Sequence, residues 1–455
     1  MLDDIINSLR EIGVVAFLVF MNVALWPITS IILTRIKSRK IQLCFHLLYG
    51  IFLSVVLFRQ QIIYPIGFAV LSYFVIDKGP FIGCLFALIF NTGTNIIYKL
   101  QDTNTWEFEV TCMTMIQFQR VCSTSFNIAH GKEDSFKRPF YKPLAMKQKP
   151  PFLHWFAYLF TPIGAFSGPT FEYILFEYIL DVGNRPKIAS NSRSRKMAIR
   201  RWLEGILFSI FNVFFMKKVG IEFYSQPFFL NSPTFVRLLL MLVCTCGQAC
   251  RYFPAWSTIE ASIYEFGLGE SGLVNDFYDV SNMSMFDLLT SNSIGIWLQR
   301  WNHSSHIFFK RYLFYPLYDN HYGYAIAHHS VFIASALWHG FEPVYFLVLP
   351  EMICSTVADD LILQYLPYEK MPIWLKPIYH FWIILCMFNT TSTWWYRTYD
   401  SFFFVRKSVK YLGTIIIFAV FFIMMILSFI KPPKKRIRAK KEVKVDENKE
   451  SKKDH

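Results

Sequence analysis

The chain has 455 residues, of which 54% are hydrophobic and 17% are charged, and its formal net charge is +14. A soluble domain carries about 25% charged residues, so this composition excludes an ordinary soluble protein. The positive charge lies in short clusters rather than on a basic face of a soluble fold. This pattern argues against nucleic-acid binding and is typical of cytosolic loops that contact anionic lipid headgroups.

Apolar runs of near-spanning length recur along the whole chain and predict an all-α, polytopic membrane protein with about eleven transmembrane helices. The alternating pattern of a membrane β-barrel is absent from the sequence. Segments 202–216 and 284–300 are short or polar and need not span the membrane. The candidate segments are 13–34, 41–58, 61–76, 80–98, 107–129, 152–180, 202–216, 232–250, 284–300, 324–350, 351–366, 372–392 and 411–430.

Basic residues predict how these segments are oriented. The cluster 35–40 follows the first segment, so we expect a cytosolic loop there and a lumenal N-terminus. Four more crossings return the chain to the cytosol at the basic loop "HGKEDSFKRPFYKPLAMKQK". The number of crossings and the charge of the loop therefore agree.

Segment 152–180 lies between that loop and a second basic cluster, 185–201, which should also be cytosolic. A single crossing cannot join two cytosolic loops, so we predict a re-entrant hairpin broken within "TPIGAFSGPTFEY". Irregular backbone at membrane depth must be buried in protein or line a cavity, so a cavity is expected here. The alternative is that the charge rule fails at one loop.

The rest of the chain suggests one domain and a tail. The nine cysteines lie mostly in apolar runs and indicate buried membrane residues rather than a disulfide framework or a zinc site. We assign residues 1–430 to a single helical domain and 431–455 to a basic cytosolic tail without ordered structure. Lys452 and Lys453 resemble the dilysine retrieval signal of endoplasmic-reticulum membrane proteins, which favours that membrane.

Strongly polar residues inside membrane segments are rare and indicate functional sites by default. Taken singly, each candidate here also has a structural interpretation. The pair in "HSSH" lacks the glutamate of a zinc-binding motif, so no metal is expected. The two aspartates are expected at a wet cleft or a loop. The candidates are Asn302, His303, His306, His328, His329, His339, Glu342, Asp359 and Asp360.

His339 stands out because its surroundings are almost entirely apolar. It follows "VFIASALW", in which Ser335 is the polar residue and lies one helical turn earlier on the same face. Gly340 and Pro343 are expected to end the helix directly after it. A neutral imidazole in a dry site can act as a general base, although a structural histidine fits the same pattern.

Two motifs together resemble the paired signature of the membrane-bound O-acyltransferase family: "LQRWNHSSHIFFKRYLFYPLY" and "SALWHGFEPVY". Asn302 and His339 occupy the family's two positions, 37 residues apart, a separation typical of the family. "GAFSGPTFEY" resembles the family's Gly-Pro stretch, and "HGKEDSFKRPFYK" resembles a loop of its lysophospholipid-acylating branch. Val344 departs from the pattern, which often has glycine there, so the local turn can differ.

The resemblance implies an internal catalytic chamber and transfer of a fatty acyl chain from acyl-CoA to a lysophospholipid, with no further cofactor. His339 would be the general base, and Asn302 would either orient it or stabilise the developing oxyanion. Residues beside the motifs would contact substrate, and the second basic cluster would meet the CoA phosphates, although that cluster also fits a topological role. These residues are Trp301, Trp338, Ser335, Gly168 and Pro169, and then Lys187, Arg193, Arg195, Lys196, Arg200 and Arg201.

Several alternatives remain open at this stage. Lysophosphatidylinositol is favoured as the acceptor, followed by the choline and serine lysophospholipids, while other branches of the family acylate sterols, diacylglycerol or proteins. A transporter or scramblase with a non-catalytic histidine is a different class that also uses broken helices. The sequence shows no matching pair of interrupted helices in two halves, which argues against that class. It gives no indication of the oligomeric state.

Overall fold

A computed structural model describes residues 32–100, 109–133, 136–184, 193–215, 218–273, 277–340, 342–394, 396 and 398–433. Within these ranges the chain is helical and contains no β-strand, as the sequence predicts. Most of segment 13–34, Lys187 and the tail lysines lie outside the described residues. The helices of the first half are α1 (Arg39–Phe58), α2 (Ile63–Val75), α3 (Pro80–Leu100), α4 (Val110–Glu133), α5 (Phe152–Phe160), α6 (Tyr173–Leu180) and α7 (Arg193–Phe215).

The second half has several short helices in its middle and long ones at its end. A π-helical turn, Lys310–Phe314, joins two of these short helices. The helices are α8 (Pro227–Leu230), α9 (Thr234–Ala249), α10 (Phe253–Glu265), α11 (Met285–Leu289), α12 (Ile294–Arg300), α13 (His303–Phe309), α14 (Tyr315–Asp319), α15 (Tyr324–Trp338), α16 (Pro343–Tyr365), α17 (Leu375–Thr391), α18 (Tyr399–Ser408) and α19 (Leu412–Ile430).

Four stretches in the described part of the chain are long and apolar enough to cross a membrane. They are Arg39–Val75, Pro80–Leu100, Thr234–Glu265 and Leu412–Ile430. The total of about eleven spans therefore stays a prediction. Segment 284–300 forms two helices, α11 and α12, of five and seven residues, which are too short to span, as its polarity indicates.

The predicted break in segment 152–180 is confirmed. Helix α5 ends at Phe160, α6 begins at Tyr173, and the buried backbone between them turns at Gly164 and Gly168, which have φ of +76° and +78°. The Gly168–Pro169 peptide is cis. Positive φ favours glycine because a Cβ would clash with the backbone, so these glycines permit the turn.

Contacts show that the two ends of this hairpin meet. His154, at the start of α5, lies 2.8 Å from the Glu177 carboxylate near the end of α6. Arg39, at the start of α1, pairs with both Glu177 and Asp181. Asp77 likewise receives Lys149, at 3.5 Å, from the basic loop. The loops that charge assigns to one side of the membrane therefore lie together.

The hairpin makes a prediction about topology. A protease site inserted after Gln148 and one inserted after Asn184 should both be cut in sealed microsomes, because both ends of the hairpin lie on one side. A site inserted after Asn104, in the loop predicted to be lumenal, should be cut only after detergent opens the vesicles. Protection of the Asn184 site in sealed vesicles would contradict the hairpin.

Two predicted boundaries are wrong. The apolar stretch 324–366 divides at residues 339–342 rather than at 350/351, and α16 passes through Pro350 without ending. Proline is tolerated inside membrane helices because neighbouring groups satisfy the freed backbone, whereas Gly340 at φ +107° does end α15. The basic cluster is not a loop throughout, because from Arg193 onward it forms the first turns of α7.

Buried apolar side chains form two large cores. The first core joins α1–α6 to Phe308, Tyr312 and Trp338. The second core joins α9, α12, α16, α17 and α19, and Trp301 packs against it. The chain crosses from the second core to the first between Trp301 and Phe308, and crosses back between Trp338 and Met352. Asn302 and His339 therefore both lie at the seam between the cores.

A buried polar network fastens the C-terminal helices to α16. The Glu351 carboxylate accepts hydrogen bonds from Arg406 at 2.8 Å, from Thr414 at 2.6 Å and from Asn389 at 3.1 Å. Glu351 and Arg406 have side chains only 5% and 1% exposed. One carboxylate thus joins α17, α18 and α19 to the helix that follows the His339 turn.

Candidate active site

Asn302 sits in a left-handed turn between α12 and α13. The Ser293 hydroxyl caps α12 by accepting the Ile296 N–H at 3.0 Å, and Trp301 then leaves the helix in extended conformation. Asn302 has φ 47° and ψ 53°, a region that asparagine occupies more readily than most residues. This turn starts α13 and directs the chain back toward the first core.

A second asparagine holds the start of α13. The His303 N–H donates to the Asn282 carbonyl oxygen at 2.9 Å, and the Ser304 N–H donates to Asn282 Oδ1 at 3.2 Å. The Asn282 N–H in turn donates to the Glu260 carboxylate at 2.7 Å. Because the first N–H groups of a helix have no partner within it, Asn282 satisfies them and fixes the Asn302 turn.

The hairpin break lies against the same helix start. The Thr170 N–H donates to Ser304 Oγ at 3.1 Å, and a Cβ placed on Gly168 would lie 3.3 Å from Asn282 Nδ2. Gly168 and Pro169 are thus close to the Asn302 turn. A small cavity of about 30 Å³ separates the hairpin from α13, with Glu172 and Arg311 in its wall. It has room for about one or two water molecules, so a substrate-sized chamber stays a prediction.

His339 occupies the turn that ends α15. Its N–H donates to the Ser335 carbonyl oxygen at 3.1 Å, Gly340 follows with φ +107°, and Pro343 begins α16. The predicted helix end directly after His339 is confirmed. Ser335 lies one turn before the histidine, as the sequence predicts, and is half-buried.

Aromatic rings surround the His339 imidazole. Its centroid lies 4.7 Å from the Trp338 ring, 5.1 Å from Tyr345 and 6.1 Å from Trp394. These rings come from three different parts of the chain. They restrict the imidazole orientation and reduce its contact with water, as a general base in a dry site requires.

Helix α4 connects the two candidate residues. Asn302 Oδ1 accepts the Ser305 hydroxyl at 3.0 Å, and Ser305 Oγ accepts Gln119 Nε2 at 2.9 Å. The Trp338 indole N–H donates to the Met115 carbonyl oxygen at 2.9 Å. Residues 115 and 119 are one helical turn apart, so the structure brings the Asn302 and His339 turns to adjacent positions on α4.

The two tryptophans beside the candidate residues have packing contacts. Trp301 stacks on Trp297, with centroids 5.4 Å apart, and contacts Trp256 at 6.0 Å. Trp338 is 3% exposed and meets Phe309 edge-on at 5.7 Å. Both indoles therefore pack against neighbouring side chains and hold the two turns in place.

In the described part of the second basic cluster, from Arg193 onward, three arginines form ion pairs within the protein. Arg195 pairs with Glu265, and Arg201 pairs with Glu204 and, at 2.8 Å, with Glu260. Glu260 is also the group that accepts from Asn282, so Arg201 supports the Asn302 turn from behind. Lys196 lines an open groove of about 490 Å³ whose walls include Leu203 and Leu207.

The basic loop before the hairpin clamps the π-helical turn. Arg138 makes two hydrogen bonds to the Asp319 carboxylate, at 2.9 and 2.7 Å. The Tyr141 hydroxyl donates to the Arg311 carbonyl oxygen. Burial raises the pKa of the Tyr141 phenol, so it keeps its proton and remains a donor. π-helical turns frequently occur at functional sites, and this one follows α13 directly.

The sequence predicts Asp359 at a wet cleft or a loop, but this prediction is wrong. Asp359 is 1% exposed and accepts the Ile294 N–H at 2.9 Å and the Tyr379 hydroxyl at 2.5 Å. The carboxylate lies on α16, which follows His339, and caps α12, which leads to Asn302. Burial of a carboxylate is tolerated here because backbone and hydroxyl donors satisfy it.

Sequence reasoning missed two further polar residues of the site. Arg120, fully buried on α4, donates to the carbonyl oxygens of Tyr158 and, at 3.0 Å, of Ile163, which the hairpin break leaves without helical partners. Asn91, on α3, contacts the His339 turn. The sequence signal for Arg120 was a cation inside an apolar segment, and for Asn91 it was an amide inside one.

Comparison with known proteins gives a consistent assignment. A model of the membrane-bound O-acyltransferase family matches residues 82–386. Lysophospholipid acyltransferase 6 of Drosophila melanogaster is 25% identical over 340 residues, which cover 68% of this chain and 46% of that protein. Lysophospholipid acyltransferase of Schizosaccharomyces pombe is 21% identical over 294 residues, 62% of this chain and 56% of the relative. Membrane-bound glycerophospholipid O-acyltransferase 1 of Homo sapiens is 25% identical over 270 residues, which cover 54% of this chain and 52% of that protein. The chain thus spans about half the length of these relatives.

Proposed function

The chain belongs to the membrane-bound O-acyltransferase family, and from this premise we propose that it transfers a fatty acyl chain from acyl-CoA to the free hydroxyl of a lysophospholipid. The observation that carries the proposal is the placement of the Asn302 and His339 turns on adjacent turns of α4. The relatives named as lysophospholipid acyltransferases support the choice of acceptor. Lysophosphatidylinositol is our first candidate, followed by the choline and serine lysophospholipids.

The reaction needs one base and one stabiliser of negative charge. The His339 imidazole takes the proton of the acceptor hydroxyl while the hydroxyl oxygen attacks the thioester carbonyl carbon. The new carbon–oxygen bond forms, the carbon–sulfur bond breaks, and the proton passes from the imidazolium to the departing CoA thiolate. Asn302 orients the imidazole or donates to the carbonyl oxygen as negative charge develops on it. A thioester is already activated, so no covalent nucleophile is required.

Water must be kept from the thioester because hydrolysis competes with transfer. The aromatic rings around His339 and the seam between two apolar cores support such exclusion. In this proposal the CoA phosphates meet the exposed basic end of α7, where Arg193, Arg195 and Lys196 lie. Lys196, beside the open groove, is the first candidate for that contact.

Several helices of the protein are long and apolar enough to span a bilayer, as expected of a multi-pass membrane protein. We place it in the endoplasmic reticulum with the N-terminus in the lumen and the C-terminus in the cytosol. The basic clusters support this orientation.

An acceptor panel tests the proposed function. Microsomes that contain the chain would receive labelled acyl-CoA and, separately, lysophospholipids with inositol, choline, serine and ethanolamine headgroups, a sterol, a diacylglycerol or a peptide. We expect labelled phospholipid above the level of microsomes without the chain, with the inositol acceptor used fastest. Labelling of the sterol, diacylglycerol or peptide alone would move the chain to another branch of the family. Absence of label from every acceptor would favour a transporter or scramblase.

A further inference from the structure

One face of α3 carries polar groups that the reaction itself does not explain. Asn91, Asn95 and Lys99 recur at a spacing of four in a helix otherwise apolar enough to cross a membrane. Residues four apart lie on one face of a helix. Amides and ammonium groups in such a segment are costly unless they have partners, so this face should contact something polar.

The partner of Asn91 is the peptide that leads into His339. Asn91 is fully buried, and its Nδ2 donates to the Trp338 carbonyl oxygen at 2.9 Å. Its Oδ1 accepts the Thr114 hydroxyl of α4 at 3.0 Å, which orients the amide. Helix α15 ends at Trp338, so its last carbonyls have no partner within the helix, and Asn91 provides one.

The other two polar groups on this face contact the residues that follow. A Cβ placed on Gly340 would lie 2.7 Å from Asn95 Oδ1, so this turn fits closely against α3 only with glycine at that position. Lys99 Nζ lies 2.9 Å from the Glu342 carboxylate, at the start of α16. Three successive turns of α3 thus contact residues 338, 340 and 342 in order.

From these contacts we infer that Asn91 is a positioning residue for His339 and that α3 holds the His339 turn through residues 338, 340 and 342. The Trp338 carbonyl belongs to the planar peptide whose other end is the His339 nitrogen. Fixing that carbonyl therefore fixes the direction in which His339 leaves the backbone. The aromatic rings then restrict the rotation of the imidazole.

The inference rests on the proposed function and predicts a specific kinetic change. Asn91→Leu keeps the approximate size of the side chain but removes the donor, so the His339 turn is no longer anchored. A misplacement of about 1 Å can cost about 10²-fold in rate, and we expect a loss of kcat of that order with KM for both substrates nearly unchanged. Thr114→Val leaves the donor in place but removes the hydroxyl that orients it, and should lose less.

Asn212→Leu is the matched control. Asn212 is also buried, and its Nδ2 donates to the Cys250 carbonyl oxygen at 3.0 Å, away from the residues of the His339 turn. A general loss of stability would affect both leucine variants alike. Positioning of His339 requires that kcat fall in Asn91→Leu alone.

Hydrogen exchange of the peptide that covers residues 336–342 gives a second measurement that does not depend on activity. Faster exchange in Asn91→Leu than in Asn212→Leu, together with the loss of kcat, supports the inference. Unchanged kcat, or equal losses in the two variants, overturns it. If the parent chain transfers no acyl group, the proposed function fails. Unchanged exchange in Asn91→Leu would then overturn the anchoring of the turn as well, and faster exchange would support it.

Discussion

The His339→Ala variant is expected to lose acyl transfer by about 10²- to 10⁴-fold in kcat, the range that a general base contributes. The loss follows because no other group in the proposed mechanism takes the proton of the acceptor hydroxyl. The measurement is the rate of label transfer from acyl-CoA to the preferred lysophospholipid in microsomes that contain equal amounts of chain. Asn302→Ala should lose about 10²- to 10³-fold if Asn302 stabilises the oxyanion.

His329→Ala is a suitable control because it removes the same kind of side chain from α15, the helix that leads to His339. His329 precedes His339 by nearly three turns of α15 and should be dispensable for transfer. Both variants should give the parent elution profile in detergent. If His339→Ala transfers acyl groups as fast as His329→Ala, then His339 is not the base.

Among the variants proposed here, Glu351→Ala should lower the free energy of unfolding most. It would leave the Arg406 guanidinium buried without its carboxylate and would remove an acceptor from Thr414 and Asn389. Removing one partner of a buried ion pair typically costs about 3 to 5 kcal/mol. Thermal unfolding of the purified protein in detergent, followed by tryptophan fluorescence, would measure the lowered Tm.

Asp181→Ala provides the exposed counterpart of this change. Its pair with Arg39 has side chains 43% and 40% exposed, and such pairs contribute about 0 to 1 kcal/mol. Glu351→Met combined with Arg406→Met removes both charges and should recover much of the lost stability. A Tm for Glu351→Ala equal to that of Asp181→Ala would show that the buried network is not a major contributor.

Residues that act on their own backbone could be recognised from the sequence. Gly340 follows the end of α15 with a positive φ, Pro343 begins α16, and Gly164 and Gly168 interrupt segment 152–180, also with positive φ. Parity of the basic loops then predicted that the hairpin returns, and the His154–Glu177 contact agrees. The glycines and prolines, together with the charge of the loops, were sufficient to predict the helix end after His339 and the hairpin.

Residues that act on distant backbone could not be recognised in this way. Arg120 binds carbonyls 38 and 43 residues away, and Asn91 binds one 247 residues away. A polar side chain in an apolar segment is visible in the sequence, but its partners here are main-chain oxygens, which every residue has, so the sequence does not show which carbonyls Arg120 and Asn91 bind. The boundary predicted at Pro350 was wrong for a different reason. Proline usually breaks a helix, but α16 continues through it, as membrane helices can.

The seam between the two cores has a consequence for biosynthesis. Phe308, Tyr312 and Trp338 belong to the first core, yet they are made after residues of the second core such as Tyr224 and Trp297. Domains usually fold from the N-terminus as the ribosome extends the chain. Here the N-terminal core stays incomplete until residue 338 has been synthesised and inserted. A nascent chain stopped before that point lacks the His339 turn, so the proposed active centre cannot assemble before most of the chain has been synthesised.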